Sequence, residues 1–519
     1  MGQSKSHKNF MAGTSYTVSP LLTLRIAAAS CFFGEPTFYG AKDSKPVAPS
    51  QQPQAVQKHL SVTLGGLGQP DFSGLTPSQR MEKVIDNALD ADPEATLQEA
   101  VLLRKQGHIR TTPQVIMVRA ARHPKVRGTG LIRQYAPNIL SRGDESAVQL
   151  KYLSNLTGKG PIPNALKKAW AAHLSGMNEY TLAKYAKDGL TDVANVCHPA
   201  GNPLLEKLVK GKLSQGGSTW EAIVSKDGST KEAWSKAVSV MGHMALLRNL
   251  RNFHEKGVDP AVYLDKLVNT AKDGKQLPFR YWSAYNALSE GSATTRQAIE
   301  ECLKNSLGFL PFFKGKVASL CDNSGSAVSA RVSCMSDVNV ATIANLSALL
   351  TGYQSDEGWV GLFGDRLTMR QVDRSKAPLA QLAALNVLGK QVGGYTENGI
   401  WLFWDEAIRT KKHWDHVFVY SDMQAGHGDL YGSDPSQYKA FQWVQNPSHI
   451  DVARLIGAYR ASVNPKVNVF LVQCAGYADA ILPEEYYRTS ILGGWGDGIF
   501  HYADQMTRLF DGLDASQAT

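Results

Sequence analysis

The sequence predicts a helical module followed by a doubly wound α/β domain, an α plus α/β chain. From about residue 75 to 310, apolar residues recur at three- and four-residue spacings, the mark of amphipathic helices. Beyond 310, short apolar β-rich runs alternate with helical stretches, the pattern of a parallel sheet covered on both faces. At 519 residues the chain is too long for one core, so two or three domains are expected.

Residues 1–15 are polar and are expected to form a mobile N-terminus. Residues 16–40 suggest a short strand or hairpin anchored by Phe32, Phe33, Phe38 and Tyr39, and 41–55 a Pro-rich loop. The helical stretch opens with Met81, Val84, Ile85, Ala88 and Leu89, and Leu182, Tyr185 and Ala186 repeat the spacing. Helix pairs repeated over this span suggest an α-solenoid of the HEAT type, with a compact irregular bundle as the alternative. The α/β part runs from about 311 to 510, with strands expected at 316–321, 358–363, 416–420 and 467–472. Helices are expected near 337–352, 378–390, 398–411 and 448–461.

A hydrophobic fraction of 43% and a charged fraction of 19% describe a soluble globular chain. The net charge of +9 favours polyanionic partners such as nucleic acid, and also aids solubility. Cys31, Cys197, Cys302, Cys321, Cys334 and Cys474 are scattered without a C-x-x-C pair, so reduced thiols in a cytoplasmic protein are expected. No apolar run approaches the ~18 residues of a membrane span; Leu21 to Phe33 is broken by Arg25. The N-terminal Met1-Gly2-Gln3-Ser4-Lys5-Ser6 fits the loose myristoylation pattern, as many unrelated termini do.

Asp322-Asn323-Ser324-Gly325-Ser326 follows the apolar run 316–321 and has the form D-x-S-x-S. One carboxylate and two hydroxyls at a strand end make a compact set of hard oxygen ligands, which suits Mg²⁺ or another divalent cation. Short Ser/Gly/Asp runs are also common turns. Two further segments answer the motif: Thr396 on the Gly393-Gly394-Tyr395-Thr396 loop, and Asp422 after the strand His416 to Tyr420. In a parallel sheet the strand C-ends share one edge, so Ser324, Ser326 and Thr396 can ligate while Asp322 and Asp422 supply charge.

This three-part set resembles the metal-ion-dependent adhesion site of von Willebrand factor A domains. It departs at Tyr395, where relatives often have Gly-Gly-Thr. The resemblance implies a binding device whose metal completes its shell with a partner's acidic group, with no nucleophile or base.

Met244-Ala245-Leu246-Leu247-Arg248-Asn249-Leu250-Arg251-Asn252-Phe253, followed by Leu277-Pro278-Phe279-Arg280, is the second signature. Near the N-terminus stands Gly34-Glu35-Pro36-Thr37-Phe38-Tyr39. With the α/β part behind them, these resemble a TROVE-module protein of the Ro ribonucleoprotein family. The resemblance implies a HEAT-repeat helical ring over 16–310 and a von Willebrand factor A domain over 311–510, against which the N-terminal segment can pack. It further implies a monomer that binds small structured Y RNAs on a basic outer surface and single-stranded 3′ ends of misfolded RNA in a central hole. RNA quality control, stress survival and cooperation with exoribonucleases follow from the same resemblance.

The residues support RNA independently. Arg104, Lys105, His108, Arg110, Arg119, Arg122, Lys125, Arg127, Arg133 and Arg142 crowd one helical region with few acids, and Lys167, Lys168, Lys184 and Lys187 add to it. Phosphate charge dominates RNA affinity, and Arg and His stack on unpaired bases, although any single Lys is commonly a solvated helix face. Within the resemblance, Lys184-Tyr185-Ala186-Lys187 and Val196-Cys197-His198 match a basic helix and a loop histidine lining the Y RNA surface. Arg248 and Arg251 sit on the signature helix, one to bridge helices and one to face the lumen, without the sequence choosing between them.

The expected function is therefore a non-enzymatic RNA-binding scaffold with an Mg²⁺ site for an acidic protein ligand. The alternative is an Mg²⁺-dependent protein-interaction scaffold without specific RNA. A metal-dependent hydrolase has only two carboxylates in its favour, with no positioned base, Ser-His pair or phosphate-cradling loop.

Overall fold

The computed structural model of the chain describes residues 6–8, 14–30, 35–36, 38, 75–158, 160–199, 201–213, 219–274, 276–288, 292–329, 331–333, 336–394, 399–421, 423, 442–443, 446–450, 452–474, 479–480, 482, 486–494 and 498–517. The described residues divide between two compact units, one within Val18–Gly217 and one within Met1–Thr17, Ser218–Ala475 and Asp479–Thr519.

The first unit is helical: α1 (Pro20–Ser30), α2 (Pro77–Ala91), α3 (Pro93–Lys105), α4 (Thr112–Arg122), α5 (Leu131–Ile139), α6 (Glu145–Thr157), α7 (Asn164–Ser175), α8 (Glu179–Tyr185), α9 (Leu190–Cys197) and α10 (Pro203–Val209). Over 20–30 helix α1 corrects the strand or hairpin expected for 16–40; Tyr16 and Thr17 do lie in a strand, while Phe32, Phe33 and Tyr39 lie outside the described residues. An apolar run of this kind has no periodicity to separate strand from helix. Ser19 and Pro20 decide it: the Ser19 hydroxyl accepts the Leu22 N–H at 3.3 Å, and Pro20 occupies the first turn, where a missing N–H is harmless. Leu24, Ala27, Ala28 and Ala29 then enter the core.

Helix α2 is set by a capping box. The Thr76 hydroxyl accepts the Gln79 N–H at 3.3 Å, and the Gln79 side chain accepts the Thr76 N–H at 2.9 Å. Met81, Val84, Ile85, Ala88 and Leu89 are all buried, as their spacing predicts. Glu35 explains its own motif, because its carboxylate accepts the N–H groups of Arg110 at 3.0 Å and Thr112 at 2.6 Å and so caps α4. A fully partnered polar relay crosses the core: Trp170 Nε1 donates to Gln149 at 2.6 Å, Gln149 to Gln114 at 2.7 Å, and Gln114 to the Ile139 carbonyl at 3.1 Å.

The second unit begins with α11 (Trp220–Asp227), α12 (Lys231–Val238), α13 (His243–Glu255), α14 (Pro260–Asn269), α15 (Pro278–Asn286) and α16 (Ala293–Ser306). Its sheet contains β1 (Phe313–Asp322), β2 (Ser355–Phe363), β3 (Leu367–Gln371), β4 (His416–Ser421), β5 (Asn468–Gln473) and β6 (Thr489–Gly493). The strand order is β6-β5-β4-β1-β2-β3, parallel except for β3, which runs antiparallel to β2. Every residue of β4 and β5 is buried, so both faces of the sheet are covered. The covering elements are the short α17 (Gly325–Ser329), then α18 (Val340–Tyr353), α19 (Pro378–Gly389), α20 (Gly399–Arg409), α21 (Val452–Ser462) and α22 (Gly498–Gln517).

The expected α plus α/β class is thus the observed one. Strands β3 and β6 and helix α22 were missed. The first two are edge strands, one of them half exposed, and carry little apolar signal. Glu300 on α16 ties the helices to the sheet layer, accepting the N–H groups of Leu379 at 2.9 Å and Ala380 at 3.0 Å at the start of α19. The strand Thr14–Thr17 pairs antiparallel with Asp479–Ala480. Among the described residues no helix is long and apolar enough to cross a membrane. The expected Pro-rich loop, Cys31 and Cys334 lie outside the described residues.

His416 opens β4 with its ring against Phe313 and Phe470, and burial pushes it down from 6.5 to about 4. Below pH 6.5 the unfolded chain takes a proton that the folded chain refuses. This contribution is complete above pH 6.5 and is lost as pH falls towards 4, by up to roughly 3 kcal/mol. Urea unfolding of His416→Phe should therefore show a shallower loss of stability across that window than the parent; equal slopes would show that His416 titrates normally in the fold.

Candidate functional site

Strand β1 lies between β4 and β2 and ends at Asp322, which is buried. The end of a parallel strand leaves backbone groups without a ladder partner, and side chains supply the bonds here. Asp322 Oδ1 accepts the Ser324 N–H at 2.9 Å, and its Oδ2 accepts the Ser421 hydroxyl at 3.0 Å. The Ser324 and Ser326 hydroxyl oxygens are 3.0 Å apart. Gly325 N–H donates to the Gly394 carbonyl at 2.8 Å, which fixes the Gly393-Gly394 loop beside the hydroxyl pair.

Asp322, Ser324 and Ser326 are therefore brought together as expected. Thr396 and Asp422 lie outside the described residues. Their chain neighbours do reach the site: Gly394 through its carbonyl and Ser421 through its hydroxyl.

The donor set fits a small hard cation. Two oxygens bound side by side on Mg²⁺ at 2.0–2.1 Å lie roughly 2.9 Å apart; the two serine hydroxyls, hydrogen-bonded to each other at 3.0 Å, have a spacing compatible with that. Among the described residues no group of three or more His, Cys, Asp and Glu side chains forms a metal cluster, so this set is rich in hydroxyls rather than in charge. Burial, followed by the Asp322 charge, pushes the Cys321 thiol well up, and it stays protonated.

Sequence reasoning missed the asparagines that hold the loop. Asn323 Nδ2 donates to the Cys321 carbonyl at 3.1 Å and to Asn345 Oδ1 at 3.0 Å. Asn345 Nδ2 returns a bond to Asn323 at 3.0 Å and another to Asn386 at 3.0 Å. Gly389 makes room for this network, since a Cβ there would stand 2.2 Å from Asn323 Oδ1. The x of D-x-S-x-S was the only sequence signal for it.

The predicted basic residues meet different fates. Helix α8 is capped by Asn178, whose Oδ1 accepts the Thr181 N–H at 2.9 Å. Exposed Lys184 stands 5.9 Å from the Tyr180 ring and 5.7 Å from the Tyr185 ring. Lys187 is exposed in the turn that follows, and exposed His198 ends α9 in the left-handed region at φ 45°. Half-buried Lys167 is close enough to Cys197 to oppose the rise of that thiol, which burial pushes up to about 11. Lys168, Arg110 and Arg122 are exposed.

Two arginines point inward instead. Arg119 forks onto Asp86, with Nε to Oδ1 at 2.7 Å, and donates to the Tyr152 hydroxyl at 2.8 Å. Arg104 donates to Glu145 at 2.8 Å. Both are committed to holding helices together. In the second unit, Arg248 and Arg251 are both exposed on α13, so neither bridges helices from a buried position. Arg251 reaches Glu255 at 3.6 Å, and the Arg248 charge adds to burial in lowering Arg280.

The TROVE domain matches residues 209–345, a span that contains the α13 signature and the D-x-S-x-S loop. The crystal structure of the Ro (RSR) protein of Deinococcus radiodurans is similar, with a TM-score of 0.50 at 14% identity, covering 92% of this chain and 99% of that one. At this identity the likeness is one of fold. No curated protein matches the chain in sequence.

Arg119 and Lys184 should separate cleanly by experiment. Arg119→Ala removes charged hydrogen bonds joining α2, α4 and α6, and should cost about 1–3 kcal/mol in urea unfolding. Lys184→Ala, on an exposed face, should stay within about 0.5 kcal/mol of the parent. Equal losses would contradict the inward placement of Arg119.

Proposed function

Taking the chain as one that carries a TROVE domain and has the fold of a Ro protein, we propose that it is a non-enzymatic RNA-binding scaffold. Its ligand is a small structured RNA of the Y type, held on the basic surface of the first unit. One observation carries this reading: two stretches of the first unit carry cations and no acid in their sequence. Neither 121–143 nor 157–177 contains an Asp or Glu, yet together they hold Arg122, Lys125, Arg127, Arg133, Arg142, Lys159, Lys167 and Lys168. Lys184, Lys187 and His198 are exposed on the neighbouring elements. A field of one sign attracts phosphate at long range, and each phosphate neutralised adds to the salt dependence.

Lys184 held near two tyrosine rings offers both charge and an aromatic surface, the combination that unpaired bases use. Capture of misfolded RNA ends, work beside an exoribonuclease, a role in RNA quality control and a cytoplasmic location belong to the same proposal.

The hydroxyl cluster is the second part of the proposal. Mg²⁺ is held there by Ser324 and Ser326, with Asp322 supplying charge and Thr396 and Asp422 completing the set. The ion supplies an electrophilic position for a partner's carboxylate. The spacing of the two serine hydroxyls supports this.

Nuclease-treated protein should bind a radiolabelled structured RNA with an affinity that falls steeply with salt, and the Lys184→Ala/His198→Ala pair should weaken it by about ten-fold. Absence of salt-dependent RNA binding, with Mg²⁺-dependent capture of an acidic peptide retained, would favour the scaffold without RNA. Mn²⁺ titration followed by electron paramagnetic resonance tests the metal directly. Ser326→Ala, on a partly exposed residue, should weaken Mn²⁺ by at least about ten-fold with little change in stability; unchanged Mn²⁺ affinity would remove the metal from the proposal.

A further inference from the structure

Helices α5 and α7 flank a groove of about 1300 Å³ on the first unit. Small side chains of α7 make room for the groove, beside the longer Lys168 and His173 that also line it. Ala165, Ala169 and Ala172 fall at i, i+4 and i+7 on one face, with Gly176 one turn further on. Ile132, Ala136 and Leu140, largely buried, form its apolar floor, and Ile162 and Met177 also line it. The rim is cationic: Arg122, Arg127, Arg133 and Lys168 all line it, and no carboxylate does. His173 adds no charge at neutral pH, since burial holds it down at about 4.

Three features select the occupant. The volume exceeds the roughly 300–1,000 Å³ of small-molecule sites, so a chain segment fits better than a metabolite. The lining contains no Phe, Tyr or Trp, the side chains that give single-stranded RNA its broadest stacking platforms, and its floor is apolar. A row of alanines lets another backbone approach closely, and a cationic rim demands negative charge beside the apolar contacts. We propose that this groove docks an acidic amphipathic α-helix of a partner protein, its apolar stripe on the Ile132–Leu140 floor and its carboxylates against Arg122, Arg127, Arg133 and Lys168. This is the helix-in-groove mode, read through anchors at i, i+3, i+4 and i+7.

The proposal does not rest on the RNA reading, and the two can fail separately. The probe is a fluorescein-labelled synthetic peptide of about 16 residues, ~24 Å as a helix, with leucines at three- and four-residue spacing and glutamates elsewhere. Its control has the same composition in a permuted order. Anisotropy should show the amphipathic peptide binding at least about ten-fold more tightly than the permuted one. Ala172→Trp, on an exposed position, fills the groove without touching charge and should cost at least about ten-fold in peptide affinity while leaving an RNA hairpin within about two-fold. Ala165→Trp, two turns away, repeats the test should the first variant fold poorly.

Equal binding of the two peptides would mean charge attraction alone, and would overturn the proposal. So would a tryptophan variant that leaves peptide affinity unchanged. A loss of single-stranded RNA affinity matching or exceeding the peptide loss would assign the groove to RNA instead.

Discussion

Glu35, Glu145, Glu300 and Asp322 share one task, and the fold depends on it. Each is a carboxylate at least partly withdrawn from water that accepts backbone N–H groups at a place where the chain turns or a helix begins. Glu35 takes the N–H groups ahead of α4; Glu145 takes those of Ser141 and Arg142, at 2.6 and 2.7 Å; Glu300 takes the start of α19; Asp322 takes the loop after β1. The first N–H groups of a helix have no internal partner and carry partial positive charge, so an anion there is favourable twice over. Withdrawal from water opposes this, and it raises the pKa of Glu35, Glu145 and Glu300 despite the bonds they accept. Removing such a group strands donors in the interior, which is costlier than losing one ordinary hydrogen bond.

The same device positions the hydroxyl site. Asp322 spends one lone-pair direction on each of Ser324 and Ser421, which binds the ends of β1 and β4 into a single platform. The candidate site after β1 is thus held by buried bonds rather than by surface charge. Glu145 and Arg104 fix the chain between α5 and α6.

Much of the fold could be read from the chain because its signals are local. The stripe of α2, the continuous apolar runs of β1, β2, β4 and β5, and the D-x-S-x-S loop each announce themselves within a few residues. What escaped depends on partners far away in sequence. Arg119 and Arg122 stand three residues apart on α4 with opposite fates, decided by Asp86, which lies 33 residues earlier. The Asn323–Asn345–Asn386 network joins three separate elements, and no one of them signals it. Helix α1 was misread because an evenly apolar run lacks periodicity, and its cap at Ser19 is a single residue. The groove left no trace as a motif, since alanines on a helix look like ordinary good helix formers.

The balance of ligand types at the platform has a chemical consequence. A carboxylate donates charge to a bound cation, whereas a neutral hydroxyl orients it and leaves its charge largely uncompensated. Among the described residues the hydroxyls of Ser324 and Ser326 sit together with a carboxylate, Asp322, that already serves two protein donors. A cation held by such a set retains more of its positive charge than one inside a cage of carboxylates. On the proposed metal reading, such a cation would attract an external anion. The physical logic of the groove is the same, with cations fixed around a surface that supplies no anions. The groove's lining supplies no carboxylate, and the platform's carboxylate among the described residues, Asp322, is already engaged by two protein donors.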